Sequence, residues 1–296
     1  MSAQDTVYLI DASVQIFRAW FSVPADFSDA QGRPTNAVYG FAGFLCGLLE
    51  QQQPSHVVLA FDESLSSSYR NEIYPEYKAN RDPAPEELKR QFAWCRELGE
   101  AMGIPCYGHD RYEADDLIGT MSQIWRGRGY NNCIVTSDKD LTQLVGPGDW
   151  WWDLSRRKKM DASAVEAHFG VPPHLIADYL ALTGDAVDNI PGVPGIGPKT
   201  AAKLLQHFGS WEALWSGLEQ VPSIKMRGAA SVAKKLNDHR DAAFMARQLT
   251  EICCDIPEVV ANPEAERGTG SSATLERLFD DLGFGPMLRR RCLALC

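Results

Sequence analysis

Three aspartates stand where short apolar runs end. Val7-Tyr8-Leu9-Ile10 stops at Asp11, His56-Val57-Val58-Leu59-Ala60-Phe61 stops at Asp62, and Cys133-Ile134-Val135-Thr136 runs into Ser137-Asp138-Lys139-Asp140. Apolar, β-prone runs of this length read as buried strands, each delivering a carboxylate at its carboxyl end. Glu113, Asp115 and Asp116 open a helical pattern, and Asp185 and Asp188 follow in Gly184-Asp185-Ala186-Val187-Asp188-Asn189. Acids in a helix's first turn also suit the positive end of its dipole, so the Glu113 group taken alone reads equally as simple charge placement. Its company decides otherwise, because so many acids on one rim would repel one another unless cations lay among them. Oxygen-only sites suit Mg²⁺ or Mn²⁺ rather than zinc. Two such ions roughly 3.5–4 Å apart favour hydrolysis of a phosphodiester.

A second chemistry-bearing segment runs from Asp188 to Ala201, between helical patterns around Pro172 to Leu182 and from Lys199 to His207. Gly192, Gly195 and Gly197 would let backbone N–H groups approach a phosphate, and the next helix would aim its dipole at that anion. Lys199 and Lys203 could add point charges on neighbouring phosphates. The plain alternative is a tight helix–helix turn that binds nothing. A Walker loop does not fit, since the G-x-x-x-x-G-K-[ST] spacing is absent and no strand precedes the glycines. Contacts of this kind hold backbone and ignore base identity, so a substrate would be chosen by shape.

The elements that must position these groups alternate. Helical patterns at Ala37 to Glu50, Glu86 to Met102 and Glu113 to Arg126 separate the apolar runs, as in an α/β fold with a mostly parallel central sheet flanked by helices. Sites in such sheets form outside the carboxyl ends of the strands, where Asp11, Asp62 and Asp138 would point. From Leu154 the character changes: Arg156-Arg157-Lys158-Lys159 is a basic run, followed by short helices between Gly and Pro turns, with no strand pattern. Ala261 to Ser272 reads as a mobile loop before a last helix near Thr274 to Leu282. Trp150-Trp151-Trp152 could stack on unpaired bases or form a β-edge or core-capping cluster. There is no internal repeat.

A chain of 296 residues, 45% hydrophobic and 23% charged, supports one large core or a main domain with a smaller one. Collagenous and broadly disordered classes are excluded. No stretch reaches the ~18 apolar residues of a membrane span, and Met1 to Asp11 lacks a leader pattern, so a cytoplasmic protein without membrane contact is expected. The eight cysteines show no C-x-x-C pair, which points to reduced, mostly buried thiols rather than disulfides or a zinc site. The net charge of −10 opposes generic duplex binding. Carboxylates gathered for metal ions can turn the total negative while basic patches elsewhere hold phosphates.

Taken together, Leu-Ile-Asp11, Phe-Asp62, Tyr74-Pro-Glu-Tyr-Lys-Ala-Asn-Arg81, Glu113-Ala-Asp-Asp116, Thr-Ser-Asp138-Lys-Asp140 and Gly184-Asp-x-x-Asp-Asn-Ile-Pro-Gly-Val-x-Gly-Ile-Gly-x-Lys199 closely resemble the structure-specific 5′ nuclease family. That family includes the 5′ nuclease domain of bacterial DNA polymerase I, phage flap endonucleases and stand-alone bacterial exonucleases. The likeness covers roughly Val7 to Leu218. It implies a PIN-like 5′ nuclease core over 1–160 with a helical arch at about 64–96. It also implies a C-terminal helical DNA-binding region over 161–296, with a helix-hairpin-helix at about 173–208.

The resemblance also implies roles. Asp11, Asp62, Glu113 and Asp115, with Asp116 nearby, would hold a first Mg²⁺ or Mn²⁺; Asp138, Asp140 and Asp185, with Asp188 through water, a second. Tyr77, Lys78 and Arg81 match arch residues at the scissile phosphate, with Lys78 the electrostatic stabiliser of the transition state. Arg18 and Arg70 match further phosphate-facing positions. A surface salt bridge is the other reading of Arg18, and packing alone that of Tyr77. The hairpin, with Gly192, Gly195, Gly197, Lys199, Thr200 and Lys203, would grip duplex DNA and could hold K⁺. The expected substrate is DNA with a 5′ end, 5′ flap or branched junction, cut by a monomer that lacks a polymerase domain and could borrow a polymerase partner at the bacterial nucleoid. A related metal-dependent ribonuclease would not need the hairpin or the Tyr77 segment, and a non-catalytic DNA binder would not need an intact second acid cluster.

Overall fold

Val7 and Leu9 face one hydrophobic core, while Tyr8 and Ile10, one residue out of phase, face another. Val58 and Ala60 against Val57, Leu59 and Phe61, and Ile134 against Cys133 and Val135, repeat the division. Strands covered on both faces need apolar side chains at every position, which explains continuous runs where a half-exposed sheet would alternate. These runs lie in a computed structural model that describes residues 6–63 and 68–296.

The strands are β1 (Thr6–Asp11), β2 (His56–Asp62), β3 (Cys106–His109), β4 (Asn131–Val135), β5 (Trp150–Asp153) and β6 (Lys158–Met160). They form one six-stranded sheet in the order β3-β2-β1-β4-β5-β6. All neighbours are parallel except the antiparallel β5–β6 pair. In this register Asp11 lies opposite Ala60, and Ile10 opposite Val135. The ends of β1, β2 and β4 therefore share one rim.

The helices are α1 (Ala12–Ser22), α2 (Asn36–Gln52), α3 (Tyr69–Ile73), α4 (Glu86–Ala101), α5 (Ala114–Gly127), α6 (Ala162–Phe169), α7 (Ile176–Thr183), α8 (Pro198–Phe208), α9 (Trp211–Ser216), α10 (Ala229–Asp238), α11 (Arg240–Thr250), α12 (Pro257–Ala261), α13 (Ser272–Asp281) and α14 (Pro286–Leu293). α5 and the helices from α6 to α12 contribute to the core on one face of the sheet; α1, α2, α4, α13 and α14 cover the other. Among the described residues no helix is long and apolar enough to cross a membrane.

Several sequence expectations change. A strand follows Leu154: Lys158 and Lys159 of the basic run belong to β6, paired with Asp153 and Trp152. The three tryptophans form β5, inside the sheet rather than at its edge, with Trp151 buried and the Lys159 ammonium 4.7 and 5.3 Å from the Trp150 and Trp152 rings. Residues 262–271 are held: Ala265 is buried and accepts from the Val57 N–H, and the Arg267 and Gly268 N–H groups donate to Ser55 and Gly103. α13 is followed by α14, and both pack on the face of α2 and α4, so the chain after residue 271 returns to the α/β part. The first four positions expected for the arch, 64–67, and the first five residues of the chain lie outside the described residues.

Candidate active site

Each rim acid is fixed by the local turn that carries it. Asp11 ends β1 and caps α1, accepting from the Val14 N–H at 3.0 Å and the Thr136 hydroxyl at 2.9 Å. Asp62 ends β2 and accepts from the Ala114 N–H at 2.8 Å, which brings the start of α5 to the rim. Asp138 lies just past β4, bonded through its own N–H to Thr136 and through Oδ1 to the Asp140 N–H at 2.9 Å. Asp185 closes a tight loop, exchanging both backbone bonds with Ile190 and accepting from the Val187 N–H. Glu113 and Asp115 flank the first residue of α5.

Their charges meet. Burial first, then the charges of Asp62 and Asp138, push Asp11 up to about 7 despite its two hydrogen bonds. Asp140 is pushed to about 8 by burial and by Asp138, Asp185 and Asp188. Burial raises Asp115 strongly, with Asp138, Asp11 and Glu113 adding to it, and Asp138 is raised as well. Residues spread from 11 to 188 in the chain thus act on one another in one anionic pocket.

Cations enter the same pocket. Lys78 Nζ is 3.0 Å from Glu113 Oε2 and 3.7 Å from Asp188 Oδ2. The Tyr77 hydroxyl donates to Glu113 at 3.0 Å and to Asp188 at 3.2 Å. Arg81 pairs with Asp188, and Lys139 with Asp185. Burial alone would raise Asp188, yet Lys78 and Arg81 hold it below the usual carboxylate range. Backbone contacts tighten the arrangement: the Lys78 N–H donates to the Asp188 carbonyl at 2.9 Å, Asn80 donates to the Ala186 carbonyl and Asn189 to that of Glu76. Lys78 adopts a positive φ of 55°, which a non-glycine residue takes at some cost. Segment 76–81 is therefore clasped to loop 185–189. Tyr77 both packs, being 4% exposed, and bonds the acids.

Three of the expected site residues are engaged within the protein. Arg70 does not face phosphate: it is buried, with bonds of 2.7 and 2.8 Å to Asp116 and others to the carbonyls of Leu249 and Glu251. Asp116 has both oxygens engaged within the protein, by Arg70 and by the N–H groups of Glu113 and Cys253. Gly192 lies close to another turn: a Cβ there would strike the backbone of Thr183 and Gly184.

Gly195, at φ +76°, would meet Lys235 Nζ with any added Cβ, whereas nothing lies within 4 Å of a Cβ at Gly197. Lys199 and Lys203 are exposed and Thr200 is half-buried at the start of α8, where Pro198 occupies the first turn. Arg18 is exposed on α1 and has no ion pair among the described residues. Lys139 was missed, although its place between Asp138 and Asp140 was a signal. Thr136 and Ser13, whose hydroxyls orient Asp11 and the Asp62 backbone, offered none.

Among the described residues no three His, Cys, Asp or Glu side chains form a closed coordination sphere. Lys78 and Lys139 stand among the acids instead. The donor set still fits a hard divalent cation: all donors are carboxylate oxygens, several are destabilised as anions, and buried Asp140 Oδ1 lies 3.2 Å from Lys139 Nζ without a hydrogen bond.

A family model described as the 5′-3′ exonuclease N-terminal resolvase-like domain matches residues 6–170, and one for the 5′-3′ exonuclease C-terminal SAM fold matches residues 171–269. DNA polymerase I of Bacillus caldotenax is 37% identical over 288 residues, covering 95% of this chain and 32% of that protein. DNA polymerase I of Rhizobium leguminosarum is 37% identical over 264 residues, covering 87% and 25%. The chain thus spans about a third or less of the length of these curated relatives. Among solved structures, the T5 5′-exonuclease with zinc bound superposes with a TM-score of 0.69 at 21% identity, covering 94% of this chain and 98% of that one. The catalytic core of Rad2 with DNA substrate gives 0.63 at 16%, covering 99% and 93%. At these identities the likeness bears on the fold, and both structures share its layout.

Proposed function

This chain belongs to the 5′-3′ exonuclease family, and from that premise we propose that it is a structure-specific 5′ nuclease. It hydrolyses DNA phosphodiesters near 5′ ends or flaps, leaving a 5′-phosphate and a 3′-hydroxyl. One observation carries this reading: Asp11, Asp115, Asp138 and Asp140, each with its carboxyl raised by burial first and then by neighbouring acids, share a single pocket into which Lys78 also reaches. The solved neighbours, T5 5′-exonuclease with divalent metal ions bound and the catalytic core of Rad2 with DNA substrate, agree with it.

Asp11, Asp62, Glu113 and Asp115 would hold one Mg²⁺ or Mn²⁺, and Asp138, Asp140 and Asp185, with Asp188 farther out, a second. When bound, the ions supply Lewis acidity that promotes ionisation of water and offsets charge on the departing oxygen. The protein's own part is positioning. Lys78 Nζ offers its protons to the phosphate oxygens, where charge grows in the transition state, and Tyr77 orients Glu113 through its hydroxyl. Arg81 and Arg18 steady the strand on either side. The open N–H groups about Gly195 and Gly197, with Lys199, Thr200 and Lys203, take the duplex backbone, and K⁺ could sit in the turn.

In this proposal the nuclease part spans 1–160 with an arch reaching to about residue 96, and the DNA-gripping part begins at 161, with α7 and α8 as its helix-hairpin-helix. The protein acts as a monomer on 5′-ended, flapped or branched DNA at the nucleoid of a bacterial cytoplasm, in replication and repair. The polymerase I relatives make a DNA polymerase the natural partner. The test is cleavage of a labelled 5′-flap oligonucleotide with Mg²⁺ and then with chelator. Cutting that needs the ion and maps to the junction supports the proposal; undiminished cutting in chelator, or binding without cutting, overturns it.

A further inference from the structure

Two thiols meet where α14 closes the face of the sheet covered by α1, α2 and α4. Cys46 on α2 and Cys292 on α14 have their Sγ atoms 3.1 Å apart, in a hydrogen bond that either sulfur can donate. Neither residue is exposed, and 246 positions separate them in the chain. Arg291, beside Cys292, binds Glu50, one turn beyond Cys46, through two bonds of 2.9 and 2.7 Å. That fork pins the same two helices from the solvent side and limits how far the thiols can separate. Cys296, half-buried, donates to the Cys292 carbonyl at 3.7 Å and lines a hollow of about 320 Å³ with Arg267 and Leu295.

We propose that Cys46 and Cys292 are a modification site, a thiol pair that hydrogen peroxide converts to a reversible disulfide tying α2 to α14. A disulfide bond is about 2.05 Å long, so the sulfurs must close by roughly 1 Å, within the reach of small side-chain and helix adjustments. The Cys292 hydrogen bond draws the Cys46 thiol below the ordinary thiol range against the opposing effect of burial, with Arg291 and Arg267 assisting. Because either sulfur can donate the bond between them, either can be the attacking thiolate; Cys46 is taken as the first to attack, and the product is the same if Cys292 attacks first.

The electrons balance in two steps. The Cys46 thiolate attacks one peroxide oxygen; the O–O bond breaks, and the departing hydroxide takes up the proton that Cys46 released, giving a sulfenic acid and water. The Cys292 sulfur then attacks the Cys46 sulfur, the S–O bond breaks, and the oxygen leaves as a second water with the Cys292 proton. Two thiols are oxidised to one disulfide while one peroxide is reduced to two waters. A thiol reductant reverses the bond by exchange. Cys95 and Cys133 are as deeply buried, but have no sulfur partner among the described residues, and burial pushes both thiols up.

The test treats the full chain with peroxide, blocks free thiols, digests without reductant and maps peptides by mass spectrometry. The expected product joins the Cys46 and Cys292 peptides and disappears on reduction. Because the bond spans most of the chain, oxidised protein should also melt at a higher temperature than reduced protein. Cys46→Ser and, separately, Cys292→Ser should each abolish both effects, while Cys95→Ser should keep them. Finding these two cysteines unlinked in the oxidised wild type, or joined to Cys296 instead, would overturn the proposal. So would the expected link without a rise in melting temperature. The wild-type map decides even if a serine variant fails to fold.

Discussion

Arg70 and Asp116 form a fully buried, two-pronged ion pair, with N–O distances of 2.7 and 2.8 Å, that joins α3 to the first turn of α5. The same guanidinium donates to the Leu249 carbonyl in α11 and to that of Glu251 just beyond. One side chain thereby ties the segment leading to Lys78, the helix carrying Asp115 and the helical region behind the pocket.

Asp116→Ala should accordingly be among the most destabilising single changes in the chain. It leaves a buried guanidinium without its counter-charge, a loss of about 3–5 kcal/mol. Arg70→Lys should recover little, because an ammonium cannot match the fork. Denaturant unfolding of both variants measures this; losses below about 1 kcal/mol would return both residues to a surface role.

Lys78→Ala should lower the single-turnover cleavage rate by a factor on the order of 10²–10³, with a much smaller change in affinity for flap DNA. Its ammonium lies within the acid pocket, beside Glu113. Anisotropy binding and rapid-quench cleavage separate the two quantities. Equal losses in both would make Lys78 a plain phosphate contact.

Asp185→Asn should raise the Mg²⁺ concentration needed for half-maximal cleavage and reduce the rate at saturation. It removes one proposed ligand and also the partner of Lys139. A metal titration of cleavage checks this, and an unchanged rate with an unchanged midpoint would remove Asp185 from the ion site.

Stability in chelator should fall as pH rises. Folded-state values of about 7 for Asp11 and about 8 for Asp140 exceed the ordinary carboxyl value. The folded chain therefore holds protons that the unfolded chain has lost, from roughly pH 4 up to those folded values. The stabilisation is complete below about pH 4 and lost on the way to pH ~8. Divalent ions, which compete with those protons, should restore more melting temperature at pH ~8 than at pH ~5. Scanning calorimetry with Mg²⁺ and with chelator reads the difference; a gap that narrowed with rising pH would contradict the shared anionic pocket.

Much of the site was legible because strand ends are legible. Asp11 and Asp62 terminate continuous apolar runs, and parallel pairing leaves little freedom in where such residues point. Asp115 and Asp116 show where types fail and direction decides: consecutive helical residues diverge by about 100°, so both could not face one rim. Helical period favoured a division; which acid turned inward depended on Arg70, from another element. Gly192 is ambiguous in the same way, since a glycine that lacks a Cβ for a ligand and one that lacks it for Gly184 look alike in sequence. α14 went unrecognised because Arg289, Arg290 and Arg291 interrupt its apolar positions, although Leu288 and Cys292, one turn apart, reach the core.

The placement of α13 and α14 has a consequence for how the chain comes to fold during synthesis. Leu275, Leu278, Phe279, Leu282, Phe284 and Leu288 fill the core that also contains Tyr8 and Ile10 of the central strand. A nascent chain can pair its strands early, yet it carries an oily, uncapped flank until residues 272–293 clear the ribosome. The last elements of this fold thus seal what its first strand began, and the interval before that seal is when this part of the chain is most exposed to aggregation and most in need of a chaperone.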